Sequence, residues 1–405
     1  MYFNYATSWP ANWWERRSFL KAWWRIYADD PRWAPPAYAA LAQLLQRGDH
    51  PFYTRLSSRP LYLEALPRRS AMHDGGGSFS PNVPATPMVV FEESVAAAVV
   101  QIDRRRGDDI AYLSLLRCVN DEETLDRLLQ KAFEHAAEQG CSMLVGPTGI
   151  VPGWQDGVLV DHFHRPPPWH TPYNPPYAAD LYAGSMQPWL ETVLYTYAIP
   201  STPVPNTPPP SAPSPNNLVP NTPAIDSPAS AGDGVRIEPL ALSRLSGDLL
   251  PLLAAALDWG DHYPPVDALE AATLLAWLQS TVEPHGFLAT VNGAPAGFIL
   301  LQPDLSPLLQ RTRGGRGWLA RAWLALRKHA PTTAGRLLLG AVAEEYRGQG
   351  IAHLLWRHAV DEARARGWQT LTCGPVAVGS PAAAFLDRQG ATPQQHYITY
   401  SWSPW

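Results

Sequence analysis

The stretch from Leu337 to Ala352 constrains this chain more than any other part of it. It is apolar through Leu337-Leu338-Leu339-Gly340-Ala341-Val342 and turns over Ala343-Glu344-Glu345-Tyr346. It then runs Arg347-Gly348-Gln349-Gly350-Ile351-Ala352 into a helical pattern that reaches about Arg366. A strand that feeds a glycine-rich helix start makes an anion site. Backbone N–H groups converge there without intrahelical partners, the helix dipole adds positive potential, and the missing side chains let a phosphate approach the backbone. Arg347 and the shortness of the loop point to a pyrophosphate held at the end of a strand.

The surroundings of this loop set the fold class. Val235-Arg236-Ile237-Glu238-Pro239-Leu240 reads as a strand, Leu249 to Leu257 as a helix, and about Leu269 to Ser280 as a second helix. Gly286–Val291 and Ala296–Leu301 flank Asn292-Gly293, a pair that favours a tight hairpin because both residues tolerate positive φ. Helical character returns at Trp318–Lys328, and after the loop helix come a strand at Trp368–Cys373, a short helix at Pro381–Arg388 and a last strand at Tyr397–Trp402. This is a mixed α/β (α+β) domain with antiparallel hairpins. A dinucleotide-binding fold places its glycine signature in the first strand–helix unit, whereas here the loop comes late, which argues against it.

A compositional break divides the chain. From Pro200 to Asp233 it is Pro, Ser, Asn, Thr and Ala, with eleven prolines and almost no large apolar side chains. Such a segment fills no core and favours extended conformations. The expected organisation is therefore 1–199, a linker at 200–233, and 234–405. At 405 residues, 46% of them hydrophobic, the chain holds enough apolar material for two folded parts. A net charge of -5 gives no general attraction to nucleic acid, and no nucleic-acid partner is expected. Cys118, Cys141 and Cys373 are isolated and suit a reducing compartment. No apolar run reaches the roughly 20 residues that cross a bilayer, and Met1 to Trp24 lacks a secretory pattern. The cytoplasm is the expected location. The aromatic and basic residues of that opening segment, from Trp13 to Tyr27, read first as a helix packed on the first folded part and second as a helix at a membrane surface.

The first folded part repeats part of the second. Met88–Glu92 and Val95–Ile102 read as a hairpin, Ile110–Leu116 as a strand and Asp121–Gln139 as a helix, followed by Gly140-Cys141-Ser142-Met143-Leu144-Val145-Gly146-Pro147. The later half has Gly367-Trp368-Gln369-Thr370-Leu371-Thr372-Cys373-Gly374-Pro375 in the same place. An internal duplication explains this order. Where the second copy has its glycine loop, the first has Arg117-Cys118-Val119-Asn120-Asp121-Glu122-Glu123, whose acidic residues repel a pyrophosphate. The first copy is expected to be degenerate.

With Arg347, Gly350 and Ala352 meeting the pattern of Arg or Gln, two residues, Gly, one residue, then Gly or Ala, the stretch from Val235 to Trp405 resembles the Gcn5-related N-acetyltransferase (GNAT) superfamily. The whole chain resembles a bacterial group with two such folds in tandem, through Tyr27–Pro36, His50–Tyr53, Gly146-Pro147, Gly157–Asp161 and Pro172–Tyr177. The resemblance implies acetyl-CoA, or another acyl-CoA, as cosubstrate. Backbone N–H groups of Arg347, Gly348, Gln349, Gly350, Ile351 and Ala352 would cradle its pyrophosphate. The Ala341–Val342 backbone would pair with the pantetheine arm and polarise the thioester carbonyl. The acyl group would then pass directly to an amine on a small molecule or a protein. No metal is expected, and an oligomer is compatible with the reading.

The acid and base are less determined. Family members often carry a tyrosine where this chain has Phe385 and an asparagine where it has Ser380, and phenylalanine donates no proton. Tyr397 and Tyr400 are the alternative donors, while Glu344 and His262 are candidate bases. Glu345 shares the position of Glu344, and Asp258, Asp261 and Tyr263 accompany His262 on the side expected for the acceptor. Asp161, His162, His164 and His170 invite a metal reading but lack a ligand motif, and a surface-loop role is the better one. The Arg311–Arg316 run either neutralises phosphate or faces water. Two other functions stay open: acyl-CoA binding without catalysis, and an interaction protein built on decayed GNAT folds.

Overall fold

In the computed structural model, the structure describes the backbone at 3–6 and 57–65, Leu20, Trp24, Ile26, Tyr27, 30–38 and Leu41, and then 93–103, 109–149, 156–201, 234–240, 249–263, 266–279 and 281–404. The expected strand at Met88–Glu92, the His50–Tyr53 motif and nearly all of the 200–233 linker lie outside these residues.

The first half contributes β1 (Phe3–Ala6), β2 (Ser57–Ala65), β3 (Glu93–Ile102), β4 (Ile110–Cys118), α1 (Glu122–Glu138), β5 (Met143–Thr148), β6 (Val158–Leu159), α2 (Tyr177–Ser185) and β7 (Gln187–Ala198). The second contributes β8 (Val235–Pro239), α3 (Leu250–Ala256), α4 (Ala268–Gln279), β9 (His285–Val291), β10 (Ala294–Pro303), α5 (Ser306–Thr312), α6 (Trp318–Arg327), β11 (Ala334–Val342), α7 (Ile351–Ala365), β12 (Thr370–Ala377), α8 (Pro381–Arg388) and β13 (Thr392–Trp402). The β9–β10 hairpin turns at Asn292 (φ 50°) and Gly293 (φ 84°), the pair of positive φ values that a two-residue loop demands.

All of these strands join one sheet, in the order β1-β2-β3-β4-β5-β13-β7-β12-β11-β10-β9-β8, with β6 pairing beside β13. The duplication read from sequence is present as geometry. β4 and β5 pair in parallel from Ile110↔Met143, and β11 and β12 pair in parallel from Ala334↔Thr370, each pair bridged by its crossing helix, α1 or α7. The last strands are exchanged. β7, from the first half, pairs with β12 of the second (Cys373↔Tyr195), and β13, from the second, pairs with β5 of the first (Tyr400↔Gly146). The two exchanged strands also pair with each other, antiparallel, at the middle of the sheet.

On one face, α1 and α2 cover the first half through Leu125, Leu128 and Tyr182 against Val100, Leu113 and Leu144. α7 and α8 cover the second through Leu355, Trp356 and Leu386 against Ile299, Leu301 and Cys373. The opposite face carries a core common to both halves, in which Tyr27, Val99, Leu115, Tyr173 and Leu194 meet Leu252, Leu274, Leu278, Phe298, Leu300, Leu338 and Tyr397. Trp368 lies directly over the backbone of Gly335, where a Cβ would come within 2.0 Å of the indole ring. Gly335→Ala is expected to displace that ring and lower stability by about 1–3 kcal/mol. Urea unfolding checks this, and a midpoint equal to that of the parent protein counts against the packing.

Candidate functional site: an amide cradle beside a split pair of strands

β11 and β12 pair only as far as Leu337↔Cys373. Beyond that point the two parallel strands separate, and the far side of β11 still pairs with β10, through Ile299↔Gly340, Phe298↔Ala341 and Gly297↔Val342. The Ala343 N–H donates to the Ala296 carbonyl at 2.9 Å, so Ala343 turns its polar backbone groups toward β10. Strand alternation then turns those of Ala341 the same way and those of Gly340 and Val342 into the gap. The geometry thus divides the pair named from sequence. Val342 faces the split, Ala341 is engaged with β10, and Gly340, absent from the sequence reading, joins Val342. The one available signal for Gly340 was an unpacked glycine inside an apolar strand.

At the open end of the split, a single 3-10 turn at Glu344–Tyr346 leads into the loop. Arg347 and Gln349 are exposed, and their side chains fold back on this turn. Arg347 Nε donates to the Val342 carbonyl at 3.4 Å and Gln349 Nε2 to the Glu345 carbonyl at 3.1 Å. Gly348 and Gly350 have φ of 76° and 79°, the left-handed region that glycine enters without strain. Gly350 occupies the N-cap of α7, and no side chain caps that helix. Its carbonyl accepts from the N–H groups of His353 and Leu354. The N–H groups of Gly348, Gln349, Gly350, Ile351 and Ala352 have no acceptor among the described residues, whereas the Arg347 N–H, expected in the same cradle, closes the 3-10 turn by donating to the Glu344 carbonyl at 3.2 Å. No acidic residue lies in the first turn of α7. Several unpaired amides, the positive helix end and the absence of nearby carboxylates in that turn fit a pyrophosphate.

The matching position in the first half is closed. Only Val119-Asn120-Asp121 separates β4 from α1. Asp121 caps the helix by accepting from the Thr124 N–H at 2.9 Å, and Glu122 and Glu123 occupy its first turn.

The four candidate acid–base residues are not brought together. Glu344 is exposed at the start of the 3-10 turn, beside the loop. Tyr397 is fully buried in the shared core, and burial pushes its hydroxyl well above the ordinary tyrosine range. Tyr400 belongs to the core of the first half, beneath α1 and α2, and burial also raises its pKa. Both tyrosines sit on β13, and two strands, β7 and β12, stand between β13 and β11. His262 packs edge-on against Trp189 of β7 at 6.3 Å. Its neighbour Tyr263 is buried against Tyr112 of β4 and reaches Thr399. Asp258 accepts from the Gly260 N–H at 2.9 Å, and the Asp261 side chain is outside the described residues. Phe385 is half-buried and packs edge-on against Trp356 at 6.0 Å, where α8 meets α7. Ser380 caps α8 by accepting from Ala383 N–H.

One charged group was missed. Arg336, on β11 just before the split, is 1% exposed. Its Nη2 donates to the Gly374 carbonyl at 2.8 Å, and Nε and Nη1 have no partner. Oε1 of the buried Gln302 on β10 is likewise unpartnered. Burial lowers the arginine's pKa. Burial also holds the nearby His170 down to about 3, with the Arg336 charge adding to the effect, so this histidine is neutral. His170 stacks on Trp169, while Asp161 takes the backbone and ring N–H groups of His396 and lies 3.1 Å from His162. Among the described residues, no group of three or more His, Cys, Asp and Glu is arranged to hold a metal.

Residues 253–391 match the model described as the acetyltransferase (GNAT) family, and this part of the chain is a GNAT domain. The whole chain has the tandem form of that fold. A solved tandem GNAT protein from the clavulanic acid biosynthesis pathway superposes with a TM-score of 0.55 at 12% identity, covering 99% of this chain and 98% of that one. The GCN5-related glucosamine N-acetyltransferase region of a fungal multi-domain β-N-acetylglucosaminidase gives a TM-score of 0.52 at 12% identity, covering 99% of this chain and 38% of that one. At such identities these likenesses concern the fold. Protein YghO of Escherichia coli K12 is 22% identical over 169 residues, 38% of this chain and 35% of its own length, so the match spans about a third of that relative. No helix among the described residues is long and apolar enough to cross a membrane.

Proposed function

We propose that the second half binds an acyl-CoA and transfers its acyl group to an amine, with acetyl-CoA as the first donor to test. The observation that carries this reading is the set of unpartnered amides at 348–352, placed beside the split between β11 and β12. In this reading those amides and Arg347 hold the pyrophosphate. The Gly340 and Val342 backbones pair with the pantetheine arm, and a Val342 or Gly340 N–H donates to the thioester oxygen as it gains charge during attack. The bound thioester supplies the electrophile, and the amine attacks it directly. Exposed Glu344, at the loop, is the candidate with access to water for receiving the amine's proton. The closed β4–α1 turn supports a first half that holds no pyrophosphate and acts as structure or acceptor wall. We assign 1–199 and 234–405 to the two copies and 200–233 to their connection, with the cytoplasm as the working location.

Phe385 favours a second reading, acyl-CoA binding without transfer, because its packing on Trp356 leaves no hydroxyl there to protonate a leaving thiolate. Calorimetry with acetyl-CoA and with coenzyme A tests the donor site. Thiol release from acetyl-CoA across a panel of small amines and peptides then separates the two readings. Binding without release supports the second. A folded protein that binds neither ligand overturns both.

A further inference from the structure

β10 and β11 are antiparallel neighbours that a two-residue turn suffices to connect, yet 304–333 leaves the sheet between them and forms α5 and α6. The first part of this excursion is held in place. Leu305 and Leu309 pack with Trp169 and Val282, Gln310 donates to the Arg32 carbonyl, and the Trp24 indole N–H donates to the Arg313 carbonyl. α6 then rests on this base through Leu324 alone as its buried residue.

The remaining apolar side chains of α6 face outward. Trp318 is 75% exposed, Leu319 65%, Trp323 39% and Leu326 77%. At about 100° per residue, Trp318, Ala322, Leu326, Leu319 and Trp323 occupy one arc of about 140° on the side opposite Leu324. An ordinary surface helix presents its polar side to water; this one presents its apolar side.

The charge around it is equally one-sided. From Leu305 to Ala343 the sequence has no Asp or Glu, in a chain whose net charge is -5. Arg311, Arg313, Arg316, Arg321 and Arg327 are all exposed, and none is paired with a carboxylate among the described residues. Arg321 and Arg327 border the apolar arc on its two sides.

We propose that α6 docks this protein on a bilayer surface rich in anionic lipid. Tryptophan and leucine enter the headgroup–acyl boundary, and the flanking arginines meet lipid phosphates, the arrangement of an interfacial helix. Ten residues rise only about 15 Å, half of a hydrocarbon core, so the helix lies in the interface and does not span it. An acidic protein surface would satisfy the arginines but has no general use for two exposed indoles beside two leucines. A second copy would bring like-charged arginine clusters together. This inference is independent of the acyl-CoA site.

The test is co-flotation of the full chain with vesicles of phosphatidylcholine alone and of phosphatidylcholine mixed with phosphatidylglycerol. Wild type is expected to float with the mixed vesicles, and less so at high salt. Trp318→Ser/Leu326→Ser is expected to reduce the floated fraction about tenfold or more, and Arg321→Glu/Arg327→Glu at least about fivefold. Both variants must keep the parent unfolding midpoint and the parent response to acetyl-CoA in calorimetry. Wild type that stays with the soluble fraction overturns the proposal, as does a folded apolar variant that floats like wild type. Sedimentation supplies the remaining arm: a wild-type dimer that becomes a monomer on Trp318→Ser/Leu326→Ser, with no flotation, makes α6 a self-association face and overturns the lipid assignment.

Discussion

Gly350→Asp is expected to weaken acetyl-CoA binding about 100-fold or more by calorimetry while leaving the protein folded. Gly350 sits at the α7 N-cap with φ 79° and ψ -1°. Aspartate tolerates this region better than most residues, so the backbone strain amounts to about 1–2 kcal/mol. The carboxylate does the larger damage. It occupies the approach of a pyrophosphate, caps amides that are otherwise unpaired, and repels the anion at short range. Loss of about 100-fold corresponds to roughly 2.7 kcal/mol. Gly350→Ala has the same φ problem without the charge, and a smaller loss there isolates the electrostatic part. An affinity for Gly350→Asp within about twofold of the parent would remove the loop from the donor site.

Arg336→Met is expected to raise stability, by about 1–3 kcal/mol in urea unfolding. The guanidinium is buried with two nitrogens unpartnered, and it makes no ion pair with a carboxylate among the described residues. Its bond to the Gly374 carbonyl offsets only part of the desolvation. Methionine fills similar volume without an ionised group. A loss of more than about 1 kcal/mol on this substitution would mean that the charge is satisfied by ordered water and holds Gly374 in place. A gain, accompanied by a change in thiol release but not in coenzyme A binding, would put the arginine on the acyl side of the split.

The second half was largely legible because its signals are local. Asn292-Gly293 names its own turn, Arg347–Ala352 names a helix entry, and the periodic stretches at Leu249–Leu257 and Pro381–Arg388 carry α3 and α8 within a residue or so. The duplication was legible for the same reason: Gly140 and Gly367 each end a helix and each open a strand. The exchange of β7 and β13 was not. The alternation in Gln187–Ala198 gives a half-buried strand, but a strand's neighbour is set by long-range pairing that its own residues do not encode. β3 shows the same limit, since its pairing with β2 joins it to a strand from much earlier in the chain. Tyr397 and Tyr400 looked suited to chemistry because both follow closely on Phe385, which stands where the resembling family often has a tyrosine. Whether a tyrosine faces a cleft or a core depends on the sheet to which its strand is added. Arg336 was overlooked for the converse reason: a lone arginine in an apolar strand carries no motif.

The exchanged strands also set when this protein can finish folding. During synthesis the ribosome releases β1 through β6 long before β13 exists, so the open edge of β5 has no partner until β13 emerges. β7 waits in the same way for β12. Each copy therefore completes the other, and the last step of folding is the pairing of β13 with β5 and β7. Such non-local pairing is slow to form, and it leaves a sheet edge open to other chains in the meantime. A stop codon just before Thr392 would remove a strand from the first copy and leave the second without the neighbour that covers β7. Nascent chains of this protein are thus expected to need shelter until β13 has emerged, and no folding intermediate consisting of one finished copy is available to them.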